Sequence, residues 1–90
     1  MAVEDPPSLI EYPSRFPIKV MGVNDPGLEQ AVVDIALQFD PGYDRNTLQL
    51  RSSSGGKYLG LTLSITATSR EQLDALYSSL SRHPLVKVVL

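Results

Sequence analysis

The amino-acid sequence predicts an α+β domain, a four-stranded antiparallel sheet with two helices packed on one of its faces. Three observations lead there. Hydrophobic spacing switches between period 2 and period 3.6 in the order β-α-β-β-α-β. Both helical stretches are apolar along one stripe, and both long strands along one face, so a single helical layer covers one side of a single sheet. Ninety residues are enough for one modest core.

Residues 1–11 carry Glu4, Asp5, Pro6 and Pro7 and little apolar matter, which predicts a flexible lead-in before a single domain over 12–90. FPIKVMG (16–22) is the first strand. Phe16, Ile18 and Val20 point one way, Lys19 and Met21 the other, and Gly22 closes it. Over 24–39 the period lengthens. Asp25 is placed to cap a helix, and Pro26 sits at the first helical position, where its missing N–H is not needed. Leu28, Val32, Ile35, Ala36 and Phe39 form the buried stripe, and the turn residues DPGYDRN (40–46) end the helix.

Residues 47–53 alternate again, with Leu48 and Leu50 expected inward. In 58–68, Leu59, Leu61, Leu63, Ile65 and Ala67 line one face; Tyr58, Gly60, Thr62, Ser64 and Thr66 line the other. A short Ser/Gly segment joins these two strands into a hairpin. Ser69 and Gln72 have capping-box spacing at the head of a helix over 69–83, whose stripe is Leu73, Leu76, Tyr77 and Leu80. Pro84 ends it, and LVKVVL (85–90) is the last strand. Right-handed crossovers then give the strand order 4-1-3-2, the ferredoxin-like βαββαβ sandwich.

The segment RSSSGGK (51–57) invites a phosphate-loop reading. Such a loop has spaced glycines between a strand and a helix. Here the glycines are adjacent and join two strands, so they supply the positive φ angles of a turn. His83, the one histidine, stands at a helix end, where a cation is favoured. The carboxylates have no metal-ligand spacing, and Ser52, Ser53 and Ser54 lack a nucleophile-elbow context. No catalytic residue, metal or cofactor is expected, and the protein is not read as an enzyme.

The formal charge of −2 lacks the basic excess of a general nucleic-acid binder. The absence of cysteine removes disulfides and thiolate chemistry. No apolar run reaches the roughly 18 residues that cross a bilayer. The first residues lack the basic and apolar regions of a signal peptide, so a cytoplasmic location without a membrane partner is expected.

Two surfaces remain as candidates. The open sheet face is expected to carry Lys19, Met21, Gln49, Arg51 and Tyr58, then Thr62, Ser64 and Thr66, with Leu85, Lys87 and Val89 from the last strand. Its centre is Thr and Ser rather than aromatic, which argues against base stacking and suits packing against a protein partner or a second copy. A merely solvated face is the bland alternative. The second surface is the loop GVNDPGLE (22–29). Its Asp25-Pro26-Gly27 is similar to the start of the first helix in ACT regulatory domains, which share this fold and bind amino acids near that loop, usually as dimers. That likeness implies a small-molecule site at Gly22, Asn24, Asp25 and Gly27.

EYPSRFPIKVMG (11–22), SSSGGKYLGLTLSITATS (52–69), EQLDALYSSL (71–80) and VKVVL (86–90) together carry a wider likeness. Over residues 9–90 the chain resembles the YbeD-like family of small bacterial proteins of unknown function. The resemblance implies a cytosolic bacterial protein with a ferredoxin-like, ACT-like fold, and brings no activity or cofactor. The expected function is a regulatory or adaptor domain that binds a protein partner or itself through Met21, Thr62, Ser64, Thr66, Leu85, Lys87 and Val89. Amino-acid sensing at the 22–29 loop is the alternative.

Overall fold

A computed structural model describes residues 11–90, so the lead-in expected over 1–11 lies, but for its last residue, outside the described residues. The elements run β1 (Ser14–Val23), α1 (Pro26–Phe39), a 3-10 turn (Arg45–Thr47), β2 (Gln49–Ser52), a second 3-10 turn (Ser54–Gly56), β3 (Tyr58–Ala67), α2 (Arg70–Arg82) and β4 (Val86–Val89). The sheet order is β2-β3-β1-β4, the predicted order read from its other edge, and every pairing is antiparallel. Ferredoxin-like topology follows directly from this order.

The core lies between sheet and helices. Ile18 and Val20 of β1 and Leu61, Leu63, Ile65 and Ala67 of β3 are buried under Leu28, Val32, Val33 and Ala36 of α1 and Leu73, Leu76 and Leu80 of α2. Burial of these side chains is the main source of stability, at about 1.5–3 kcal/mol for each large one. Ile35 and Phe39, expected on the buried stripe, are only partly buried against the core, and Val33, not expected there, is buried.

Leu50 departs from expectation. Its register partner is the buried Leu61, yet it remains 49% exposed. β2 is a four-residue edge strand, and Leu50 is not among the side chains that pack against the core. Leu48, two residues earlier, does pack there.

Tyr43 is the opposite case. It lies within a run of turn residues, yet only 7% of it is exposed and it belongs to the core. Burial pushes its phenol above the ordinary tyrosine value of 10.0, with smaller influences from Thr47, Asp44, Arg45 and Asp40. Tyr77 is raised by burial alone. A raised phenol is neutral in the folded chain when it would ionise in the unfolded one. Its stabilising contribution is complete below pH 10 and is lost as pH climbs through the folded-state value. Thermal melts from neutral to alkaline pH are expected to fall only beyond the ordinary tyrosine range. In Tyr43→Phe, phenolate absorbance should lose a component that titrates above the ordinary tyrosine value.

Candidate functional site on the open sheet face

Helices cover one side of the sheet, and the other side is organised by the register. Gly60 sits between Arg51 of β2 and Met21 of β1, and Met21 faces Val88 of β4. In the next row Thr62 sits between Gln49 and Lys19. Lys19 in turn exchanges two backbone hydrogen bonds with Leu90, at 3.1 and 2.7 Å. The two rows enclose a concavity of about 480 Å³. Gly60 leaves its middle empty. Met21, Val88 and Leu90 are 46%, 44% and 72% exposed around it.

Neither backbone conformation nor close packing requires glycine at position 60. Its φ is not positive, and an added Cβ would lie 3.5 Å from the Arg51 carbonyl oxygen, an ordinary contact. A strand glycine costs stability relative to a residue with a side chain, and such positions recur where another group approaches closely. Here the missing side chain forms the hollow.

Met21, Thr62, Ser64 and Thr66 are on the open face as expected, the last three half-buried. Leu85 and Val89 are not. Both pack against the core on the helix side, and Val86 is buried beside them. Leu85 lies in the turn before β4; for Val89 the cause is a β-bulge. The register shifts between Met21 and Gly22, so that Val88 pairs with Met21 but Val86 pairs with Gly22. The extra residue, Lys87, is exposed, and the alternation reverses across it. Val88 and Leu90 therefore face outward on either side of Val89, which turns inward. In VKVVL, where every residue but one is apolar, no alternation reveals this.

The outer edge of β3 extends beyond β2, and α1 and α2 supply its partners. Asp40, 9% exposed at the C-cap of α1, accepts the Thr66 N–H on Oδ2 at 3.0 Å. Gln72 donates through Nε2 to the carbonyls of Thr66 (3.1 Å) and Phe39 (2.8 Å). The capping box is consequently half formed. Ser69 Oγ accepts the Gln72 N–H, but Gln72 Oε1 accepts from Thr68 rather than from Ser69.

The second candidate, the 22–29 loop, is held by its own polar groups. Gly22 lies against the Leu85 carbonyl and Leu28. Asp25 Oδ1 accepts the Gly27 N–H at 2.8 Å as the helix cap. Asn24 Nδ2 donates to the Gly56 carbonyl at 2.8 Å, and the Asn24 N–H to that of Lys57 at 3.1 Å. This loop and the Ser/Gly turn, the two stretches that first suggest ligand binding, thus meet at one end of the sheet. In the turn Gly55 and Gly56 have φ of 84° and 71°, as a hairpin reversal demands, and Ser53 Oγ accepts the Tyr58 N–H. His83 Nδ1 accepts the Leu85 N–H at 3.1 Å and so finishes α2. Among the described residues no three of His, Cys, Asp and Glu gather as a metal site.

Comparison with known proteins assigns the family. Residues 7–90 match the family described as "Protein of unknown function (DUF493)", and the chain belongs to it. The UPF0250 protein of Leptothrix cholodnii is 61% identical over 92% of this chain and 91% of its own. A UPF0250 protein of Bordetella pertussis is 58% identical over the same shares. These are the YbeD-like proteins that the sequence resembles. Among solved structures, the ACT domain from the GTP pyrophosphokinase of Chlorobium tepidum superposes with a TM-score of 0.58 at 16% identity, over 86% of this chain and 97% of that domain. The C-terminal domain of the MgtC protein from Mycobacterium tuberculosis gives 0.54 at 23% identity, over 90% and 88%. Both likenesses concern the fold. Among the described residues no helix is long and apolar enough to cross a membrane.

Proposed function

We propose that this member of the DUF493 family is a non-enzymatic regulatory or adaptor domain, cytoplasmic in location, whose open sheet face is its contact surface. One observation carries the reading. Met21, Val88 and Leu90 stand exposed together around a hollow that the fold does not require. Clustered apolar side chains on an otherwise polar surface are characteristic of contact sites. Regulatory use is in keeping with the fold shared with an ACT domain. A photo-crosslinking amino acid at Thr62, in the middle of that face, is expected to capture a protein in bacterial cells, and one at Asp74, exposed on α2, is not. Equal capture from both positions would remove the face from consideration.

Amino-acid sensing at Gly22, Asn24, Asp25 and Gly27 is the second reading. The meeting of their loop with the Gly55–Gly56 turn favours it. The internal use of the Asn24 amide and the Asp25 carboxylate counts against it. Under this reading Asp25→Ala lowers affinity for an amino acid by more than the loss of a cap explains, about 1 kcal/mol of helix stability. A calorimetric titration with pooled amino acids that gives no heat on the wild-type chain would eliminate the sensor.

A further inference from the structure

We infer that the hollow over Gly60 receives an extended acidic segment of a partner protein, one aliphatic side chain seated in the hollow and carboxylates on either side of it. The inference rests on the sheet-face reading above and specifies the partner's chemistry. Its first ground is the distribution of charge. No acidic residue of the chain lies on any of the four strands, whereas Arg15, Lys19, Arg51 and Lys87 all do. Among the described residues, acids occupy the helices and loops, as with Glu29 and Asp34 on α1 and Glu71 and Asp74 on α2. A chain of net charge −2 thus turns a basic sheet toward solvent.

The placement of those cations is the second ground. Lys19 and Arg51 both line the hollow, from the strands on opposite sides of β3. Among the described residues neither enters an ion pair; the pair formed there, Arg45 with Glu29 at 3.4 Å, lies off the sheet. The centre between the two cations is apolar, with Met21 free to adapt to what enters. An aliphatic group flanked by anions matches this pattern of charge and shape. The face is also bounded by two edge strands, β2 and β4, and among the described residues no helix covers it, which suits an extended chain.

The same pattern disfavours the other occupants. A second copy presenting this face would set Lys19 and Arg51 against like charges. A single-stranded nucleic acid would need aromatic platforms, and the face offers Tyr58 alone, with Lys57 Nζ 5.6 Å from its ring centre.

The test is an amide NMR titration of the labelled protein at low salt with three probes. These are an acidic heptapeptide with one central leucine, its basic counterpart, and a single-stranded oligonucleotide of equal negative charge. The acidic peptide is expected to shift Met21, Gly60, Thr62 and Val88, to bind less tightly as salt rises, and to lose about tenfold in affinity when its leucine becomes alanine. Gly60→Leu, which fills the hollow, and Lys19→Glu with Arg51→Glu, which reverses its charge, should each weaken binding about tenfold or more while the spectrum stays folded. Absence of binding, tighter binding of the basic peptide or of the oligonucleotide, or indifference to both variants would overturn the inference. If Thr62 still captures a protein in cells after any of those results, the sheet-face reading stands and only the acidic partner is lost. If Thr62 captures nothing, the reading and the inference fall together.

Discussion

Gly22→Ala is expected to destabilise the fold by about 2–3 kcal/mol, toward the upper end of the range for overfilling a packed site. An added Cβ would overlap the Leu85 carbonyl oxygen and come within 2.9 Å of Leu28 Cδ1. The first of these is main chain. It cannot rotate away, because the same oxygen accepts the Val23 N–H at 2.9 Å and holds the entry to β4 against the end of β1. The second belongs to a fully buried core leucine. Relief therefore requires the bulge itself to move. Urea denaturation should show a lower midpoint with an unchanged slope. Gly27→Ala is the control, since its Cβ would meet the Asp25 carboxylate oxygen at 3.3 Å, and that side chain can adjust. If the two variants are equally stable, the close approach at Gly22 is not a constraint on the fold.

Asp40→Ala is expected to cost about 1–3 kcal/mol, the penalty for leaving a part-buried donor without its acceptor. The donor is the Thr66 N–H, on the side of β3 that β2 does not reach. Asp40→Asn keeps an oxygen at the same place and should recover most of the loss. Hydrogen exchange at the Thr66 amide gives the local measurement. Fast exchange in the alanine variant with slow exchange in the asparagine variant is the expected pattern. Unchanged protection in Asp40→Ala would mean that water or a neighbour replaces the carboxylate without loss.

These two positions also show what was legible in the sequence. Both helices and the hairpin are local matters of period, cap and turn, which are written in consecutive residues, and the strand order follows from them by the right-handed crossover rule. Asp25, Ser69 and the adjacent glycines could be assigned their roles because the atoms that answer them lie within a few positions. Asp40 could not. It reads as one more polar residue in DPGYDRN, and its partner is 26 positions away. Tyr43, buried in that same segment, carries no mark of it beyond being aromatic.

The candidate site was legible in part for a related reason. The alternation of β1 and β3 placed Lys19, Met21, Thr62, Ser64 and Thr66 on the open face, and that placement holds. The last strand shows no alternation, so its parity depended on assuming regular pairing. One bulged residue, Lys87, turned Val89 inward and Val88 and Leu90 outward, while Leu85 falls in the turn before the strand. A signal for the hollow was present nonetheless. Gly60 interrupts ten otherwise regular strand residues, and its significance emerges only when its neighbours across two ladders are known.

The position of β1 has a consequence for how the chain assembles. β1 pairs with β3 on one side and β4 on the other, and its Val20 lies beside Val89, from the opposite end of the domain. Closing that ladder requires bringing together the two most distant strands, a non-local step of the kind that slows folding. During synthesis β1 can zip to β3 as soon as the hairpin has emerged. Its other edge, and the flank of α2 that β4 covers, stay open until Val86–Val89 have emerged. A nascent chain held on the ribosome just short of Val86 would therefore present an unpaired inner strand, and chaperone contacts should concentrate in that interval.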